Sequence, residues 1–152
     1  MISEKKQNLW GDLPEVKEAN TPIVILREQA SLVGQMTDNL LEAEVRIRQQ
    51  DKKISIGLGG EVTESRMTIP DIEACLDIVA PPLDHYTITV VEIRHGVEPY
   101  PVFVANRLRG IGVQCDNETV FKEELQKALQ SPEVRKVVSS LLTQIKSVAH
   151  QS

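Results

Sequence analysis

The hydrophobic period changes twice along this chain, and those changes limit the folds open to it. In residues 22–37, Ile23, Leu26, Ala30, Val33 and Met36 recur at helical spacing. Thr21-Pro22 precedes them as a helix start, a hydroxyl at the N-cap and a proline where no amide donor is needed. From Leu41 the period drops to two: Leu41, Ala43, Val45 and Ile47 alternate with Glu42, Glu44, Arg46 and Arg48, the pattern of a half-buried strand. Helical spacing returns near Asn117 with Val120, Phe121, Leu125, Ala128 and Leu129. It continues past Ser131-Pro132 with Val134, Val137, Val138, Leu141, Leu142, Ile145 and Val148. Helices at both ends and alternation between them predict an α+β domain.

Between those ends the sequence predicts four strands in two hairpins. Polar Gln49–Lys53 reads as the turn of the first, with Ile54, Ile56 and Leu58 returning before Gly59-Gly60. Residues 70–79 read as a short middle helix closed by Ala80-Pro81-Pro82. Tyr86–Arg94 is rich in Tyr, Thr, Ile and Val, and Pro101–Ala105 returns beside it after His95–Pro99. The expected architecture is a four-stranded, mainly antiparallel sheet with an N-terminal helix, a short middle helix and two C-terminal helices. Residues 1–20 show no clean period and read as a loosely held arm carrying the only tryptophan, Trp10, and residues 21–152 read as one domain.

One strand resists a simple reading. Tyr86, Ile88 and Val90 lie on one parity of Tyr86–Arg94, and Thr87, Thr89, Val91 and Ile93 on the other. A sheet with one wet face alternates more cleanly, so a cover is expected on the second face, either the N-terminal helix or a second copy.

Composition excludes several classes. A chain of 152 residues, 41% hydrophobic and 26% charged, buries enough surface to fold without metal or disulfide. Aromatics at 3% leave no platform for stacking bases. No apolar run suits a signal peptide or a membrane span, and Cys75 and Cys115 are too few for a disulfide framework. A cytoplasmic protein with reduced thiols is the expectation.

The net charge of −5 is unevenly placed. Residues 61–84 carry Glu61, Glu64, Asp71, Glu73, Asp77 and Asp84 against Arg66 alone. Such a segment repels phosphate backbones, which argues against nucleic acid as a partner. It reads as a solvated acidic surface, or as a docking face for a basic partner through Glu61, Glu64, Asp71, Glu73 and Asp77.

Chemistry-bearing residues concentrate around the third predicted strand. His85, Glu92 and His95 are the catalytic candidates, but ten residues of extended chain hold the two histidines roughly 33 Å apart. Arg94, Arg107 and Arg109, with Arg46 and Arg48, are candidates for an anion-binding patch; cross-strand pairing with Glu42, Glu44 and Glu92 is the competing arrangement. No metal-ligand spacing occurs, Gly57-Leu58-Gly59-Gly60 continues as neither a phosphate loop nor a dinucleotide fingerprint, and no cofactor is expected. With no assembled catalytic set, the expected function is a non-enzymatic protein-interaction or regulatory domain, an adaptor, inhibitor or immunity-type partner, binding another protein or itself. The alternative is a small enzyme or ligand-binding domain with an arginine–histidine pocket.

Overall fold

A computed structural model describes residues 6–15, 20–58 and 61–149, with side chains described among these outside 50–70. The elements run α1 (Pro22–Met36), β1 (Glu42–Leu58), β2 (Glu61–Ala80), a 3-10 turn (Pro81–Leu83), β3 (Tyr86–His95), β4 (Val102–Asn106), β5 (Ile111–Cys115), α2 (Glu118–Leu129) and α3 (Pro132–Ala149). The strands form one five-stranded antiparallel sheet in the order β1-β2-β3-β4-β5, so every neighbour in sequence is a neighbour in space.

Side-chain caps hold the starts of the three helices. Thr21 Oγ1 accepts from Val24 N at 3.3 Å with Pro22 at the first helical position. Asn117 Oδ1 accepts from Val120 N at 2.9 Å at the start of α2, and Ser131 Oγ accepts from Val134 N at 3.3 Å at the start of α3. Each satisfies an amide that the helix itself leaves without a partner. α1 lies over β1 and β2 while α2 lies over β3, β4 and β5, all on one face of the sheet. The core between them joins Ile25, Leu26 and Ala30 to Ala74, Leu76, Ile78, Val91, Ile93, Phe121 and Leu125.

Three expectations are corrected. The middle helix over 70–79 is a strand: Ala74, Leu76, Ile78 and Ala80 alternate with Glu73, Cys75, Asp77 and Val79, and a period of two places the first set on the core and the second on the opposite face. The turn at 49–53 is strand as well, because β1 runs unbroken to Leu58 and pairs along its length with β2. The two strands of the predicted first hairpin are thus one strand. Beyond Ile72, the last β2 residue with a β3 partner, β1 and β2 continue as a two-stranded ribbon. The sheet has five strands rather than four, Ile111–Cys115 being a strand that the sequence pattern does not assign.

The ambiguity of β3 resolves into a β-bulge. Leu76 pairs with Val91 and Asp77 with Thr89, leaving Val90 as the extra residue. A bulge shifts the alternation by one, so Tyr86, Ile88, Val90, Val91 and Ile93 all serve the core side while Thr87, Thr89, Glu92 and Arg94 share the other. α1 packs on the core side and does not cover that other face. Its cover is made of charged side chains.

Candidate functional site

The helix-free face of the sheet carries a lattice of arginines over buried carboxylates. Register aligns Glu42, Glu44, Arg46 and Arg48 of β1 with Val79, Asp77, Cys75 and Glu73 of β2, and these with Thr87, Thr89, Glu92 and Arg94 of β3. Arg46 is bound to Asp77 through Nε, with Nη2 donating to Thr89 Oγ1 at 3.2 Å. Thr89 Oγ1 in turn donates to Asp77 Oδ1 at 2.5 Å. Arg48 donates twice to Glu73 Oε1, at 3.1 and 2.6 Å. Arg94 bridges Glu92 at 3.3 Å and Glu73 Oε2 at 3.7 Å, and Arg107, just past β4, donates to Glu92 Oε2 at 3.0 Å.

Burial is lopsided across these pairs. Glu73 and Asp77 are 0% and 2% exposed, whereas the four arginine side chains are about half exposed, from 44% to 56%. Long guanidinium stems therefore roof the carboxylates and keep their own heads wet. Burial pushes the Glu73 carboxyl up, but the hydrogen bonds of Arg48 and the contact with Glu92, with the charges of Arg48 and Arg94, outweigh it and hold its pKa below the usual carboxylate range. Glu73 Oε2 has no hydrogen-bond donor, since Arg94 stands too far off.

Glu73, Cys75 and Glu92 offer ligand atoms that all lie within 4.8 Å of one another, a donor set for a metal. The setting opposes one. Arg46, Arg48, Arg94 and Arg107 already crowd the carboxylates, and a divalent ion would have to displace them. Burial, then the charges of Glu92 and Glu73, pushes the Cys75 thiol up, away from the thiolate a metal or an electrophile needs. Burial likewise pushes up Cys115.

The structure thus brings Arg94 and Arg107 together with Arg46 and Arg48, and places Glu92, Glu73 and Asp77 beneath them. Among the described residues, Glu42, Glu44, Glu73, Asp77 and Glu92 share this face with the four arginines, so its guanidiniums are matched by carboxylates of the same sheet. Arg109 lies apart, donating to Glu133 of α3 at 2.9 Å. Asp71 is half-buried, and Glu61 and Glu64 sit on the β1–β2 ribbon, their side chains outside those described. His85 is exposed in the turn before β3, whereas His95 is buried at the other end of that strand with Nδ1 on the Gly96 carbonyl at 2.7 Å.

The helical face has a second feature, which the sequence reading did not find. Between α1 on one side and α2 and α3 on the other runs an open groove of about 1130 Å³. Leu76, Ile78 and Val90 form its floor, and Leu32, Val33, Leu129, Val138 and Leu142 line its walls. Three cations, Lys122, Arg135 and Lys146, stand on the α2–α3 side, and Glu28 is the one acid among the described lining residues. Bulged Val90 helps make this floor, so the bulge serves the groove as well as the lattice. The signal in sequence is faint: Leu32 lies off the main apolar stripe of α1, and exposed Met36 at its end points to a stripe wider than the core needs.

No known protein family, no characterised protein and no solved structure matches this chain at a significant level.

Proposed function

We propose that this chain is a protein-interaction domain whose helical face takes up an apolar, acidic-flanked segment of a partner protein. The observation that carries the reading is the groove: an apolar floor and walls, left open between helices, with an excess of basic side chains along one side. Helix and strand recognition commonly use such a trough, with apolar anchors for affinity and rim charges for orientation. The opposite face supports the same reading by exclusion, since its arginines are already engaged by Glu73, Asp77 and Glu92.

The alternative of a small enzyme or ligand-binding domain drew on Arg94, Arg107, Arg109, His85 and His95. None of these lines the groove, and the two histidines lie at opposite ends of β3. That favours the interaction reading.

A direct test uses two fluorescent designed peptides, identical in their leucine anchors at helical spacing. One carries glutamates at the flanking positions and the other lysines. The glutamate peptide is expected to bind, to weaken as salt is raised, and to lose affinity on Leu32→Glu. Equal binding of both peptides, or no effect of Leu32→Glu, overturns the assignment of the groove.

A further inference from the structure

We propose that the groove is filled by the N-terminal arm of a second copy of this chain, giving a reciprocal dimer. The proposal rests on the reading of the groove as a docking site and names its partner. Within one protomer the arm holds three strongly exposed large apolar side chains close together. Leu9, Trp10 and Leu13 are 85%, 83% and 72% exposed. Single exposed apolar residues are ordinary, but three within five positions, the sole tryptophan among them, form an unpartnered anchor. None of residues 6–15 lines the protomer's own groove.

The charges match as well. Residues 8–15 carry Asp12 and Glu15 and no base, and the groove's α2–α3 side carries Lys122, Arg135 and Lys146. The arm also has a local shape to present. Asn8 Oδ1 accepts from Trp10 N at 3.0 Å and Asn8 Nδ2 donates to Gly11 O at 3.2 Å, while Gly11 takes φ +68°. That turn places Leu9 and Trp10 at its apex. Eight residues separate Leu13 from Pro22, a length that reaches at most about 30 Å, longer than the ~22 Å of α1. The anchor can therefore clear its own protomer and enter a neighbour's groove, and exchange of two identical arms closes on a two-fold axis.

Trp10 being the only tryptophan, its fluorescence reports this contact alone. The test combines light scattering after size exclusion with acrylamide quenching of Trp10 across a dilution series. The expected result is a dimer with Trp10 shielded, releasing exposed Trp10 as it dilutes to monomer. Trp10→Ala and Leu32→Glu each weaken the dimer by at least about tenfold, the loss typical of a central aromatic anchor, while thermal melting shows the protomer still folded. A labelled peptide of residues 6–15 is expected to bind the Trp10→Ala protein and not its Leu32→Glu double variant. A monomer with freely quenched Trp10, a dimer that survives both substitutions, or shielding that does not change with dilution each overturns the proposal. If the glutamate peptide of the preceding section still binds and Leu32→Glu abolishes it, the groove stands as a docking site and only the arm is lost as its occupant.

Discussion

Glu73 is the most constrained carboxylate of the lattice, and replacing it with glutamine isolates its charge from its shape. The side chain is wholly buried, takes two hydrogen bonds from Arg48 on Oε1 and faces Arg94 from Oε2. Hydrogen bonds to charged groups contribute about 1.5–3 kcal/mol when buried. The guanidinium partners here are half exposed and can return to water, which moves the expected loss for Glu73→Gln down to about 1–2 kcal/mol at neutral pH. For a chain of this size that is about 2–8 °C in melting temperature.

The pH dependence gives the sharper reading. In the native state the Glu73 carboxyl is held below its ordinary value, so its contribution is present above the unfolded pKa, about 4.3. That contribution is lost as pH falls through the lower native value. Melting curves of wild type and Glu73→Gln should therefore be separated at pH 7 and converge in acid. Arg48→Ala should behave in the opposite sense. With its two donors gone, burial dominates at Glu73, its native pKa rises above the unfolded one, and the variant gains relative stability on acidification. Coincident melting curves at pH 7, or a gap for Glu73→Gln that persists unchanged to pH 3, refute this account of the lattice.

Three further substitutions probe other parts of the argument. Asn106 is buried at the end of β4, where Oδ1 accepts from Leu108 N and Arg109 N and Nδ2 donates to Ser131 Oγ. Asn106→Ala leaves these turn amides without that acceptor and is expected to lower stability by about 1–3 kcal/mol in a urea titration. At Gly112 an added Cβ would meet the Phe103 ring at 2.0 Å, so Gly112→Ala should displace the ring and cost about 1 kcal/mol; in a Phe103→Ala background the same change should cost almost nothing. His85 sits at φ +58° beside Asp84 at φ +56°, so His85→Gly is expected to raise stability by about 0.5–1 kcal/mol in thermal melts, and a loss instead would assign the imidazole a contact of its own.

How much of this was legible in the sequence depended on whether a local rule or a register decided the matter. The helices were legible, because helical spacing and the Thr21-Pro22 and Ser131-Pro132 starts are local signals, and Thr21 and Ser131 act as caps here. β2 was not, because Glu73 and Asp77 read as solvated acids, and acids three or four apart suit a helix as readily as alternate positions suit a strand. Their burial depends on Arg46 and Arg48, which lie some thirty residues earlier and meet them only once β1 and β2 pair. β3 looks apolar on both faces only while its parity is held fixed across Val90; one bulge is enough to exchange the faces of everything beyond it. The candidate site follows from the same cause. Arg46, Arg48, Arg94 and Arg107 could be named from sequence as a possible patch, yet whether they bind an outside anion or roof the protein's own carboxylates is decided by cross-strand register. The groove lies further still from local rules, since its walls come from α1 at one end of the chain and α2 and α3 at the other, and its floor includes the bulged Val90. A substitution that removed the bulge would therefore force one side of Val90 to change faces: with the register before it kept, Glu92 and Arg94 turn out of the lattice; with the register after it kept, Thr89 leaves the lattice and Val90 leaves the groove. Lattice stability should then fall in either case, and peptide binding should fall with it where Val90 leaves the groove floor.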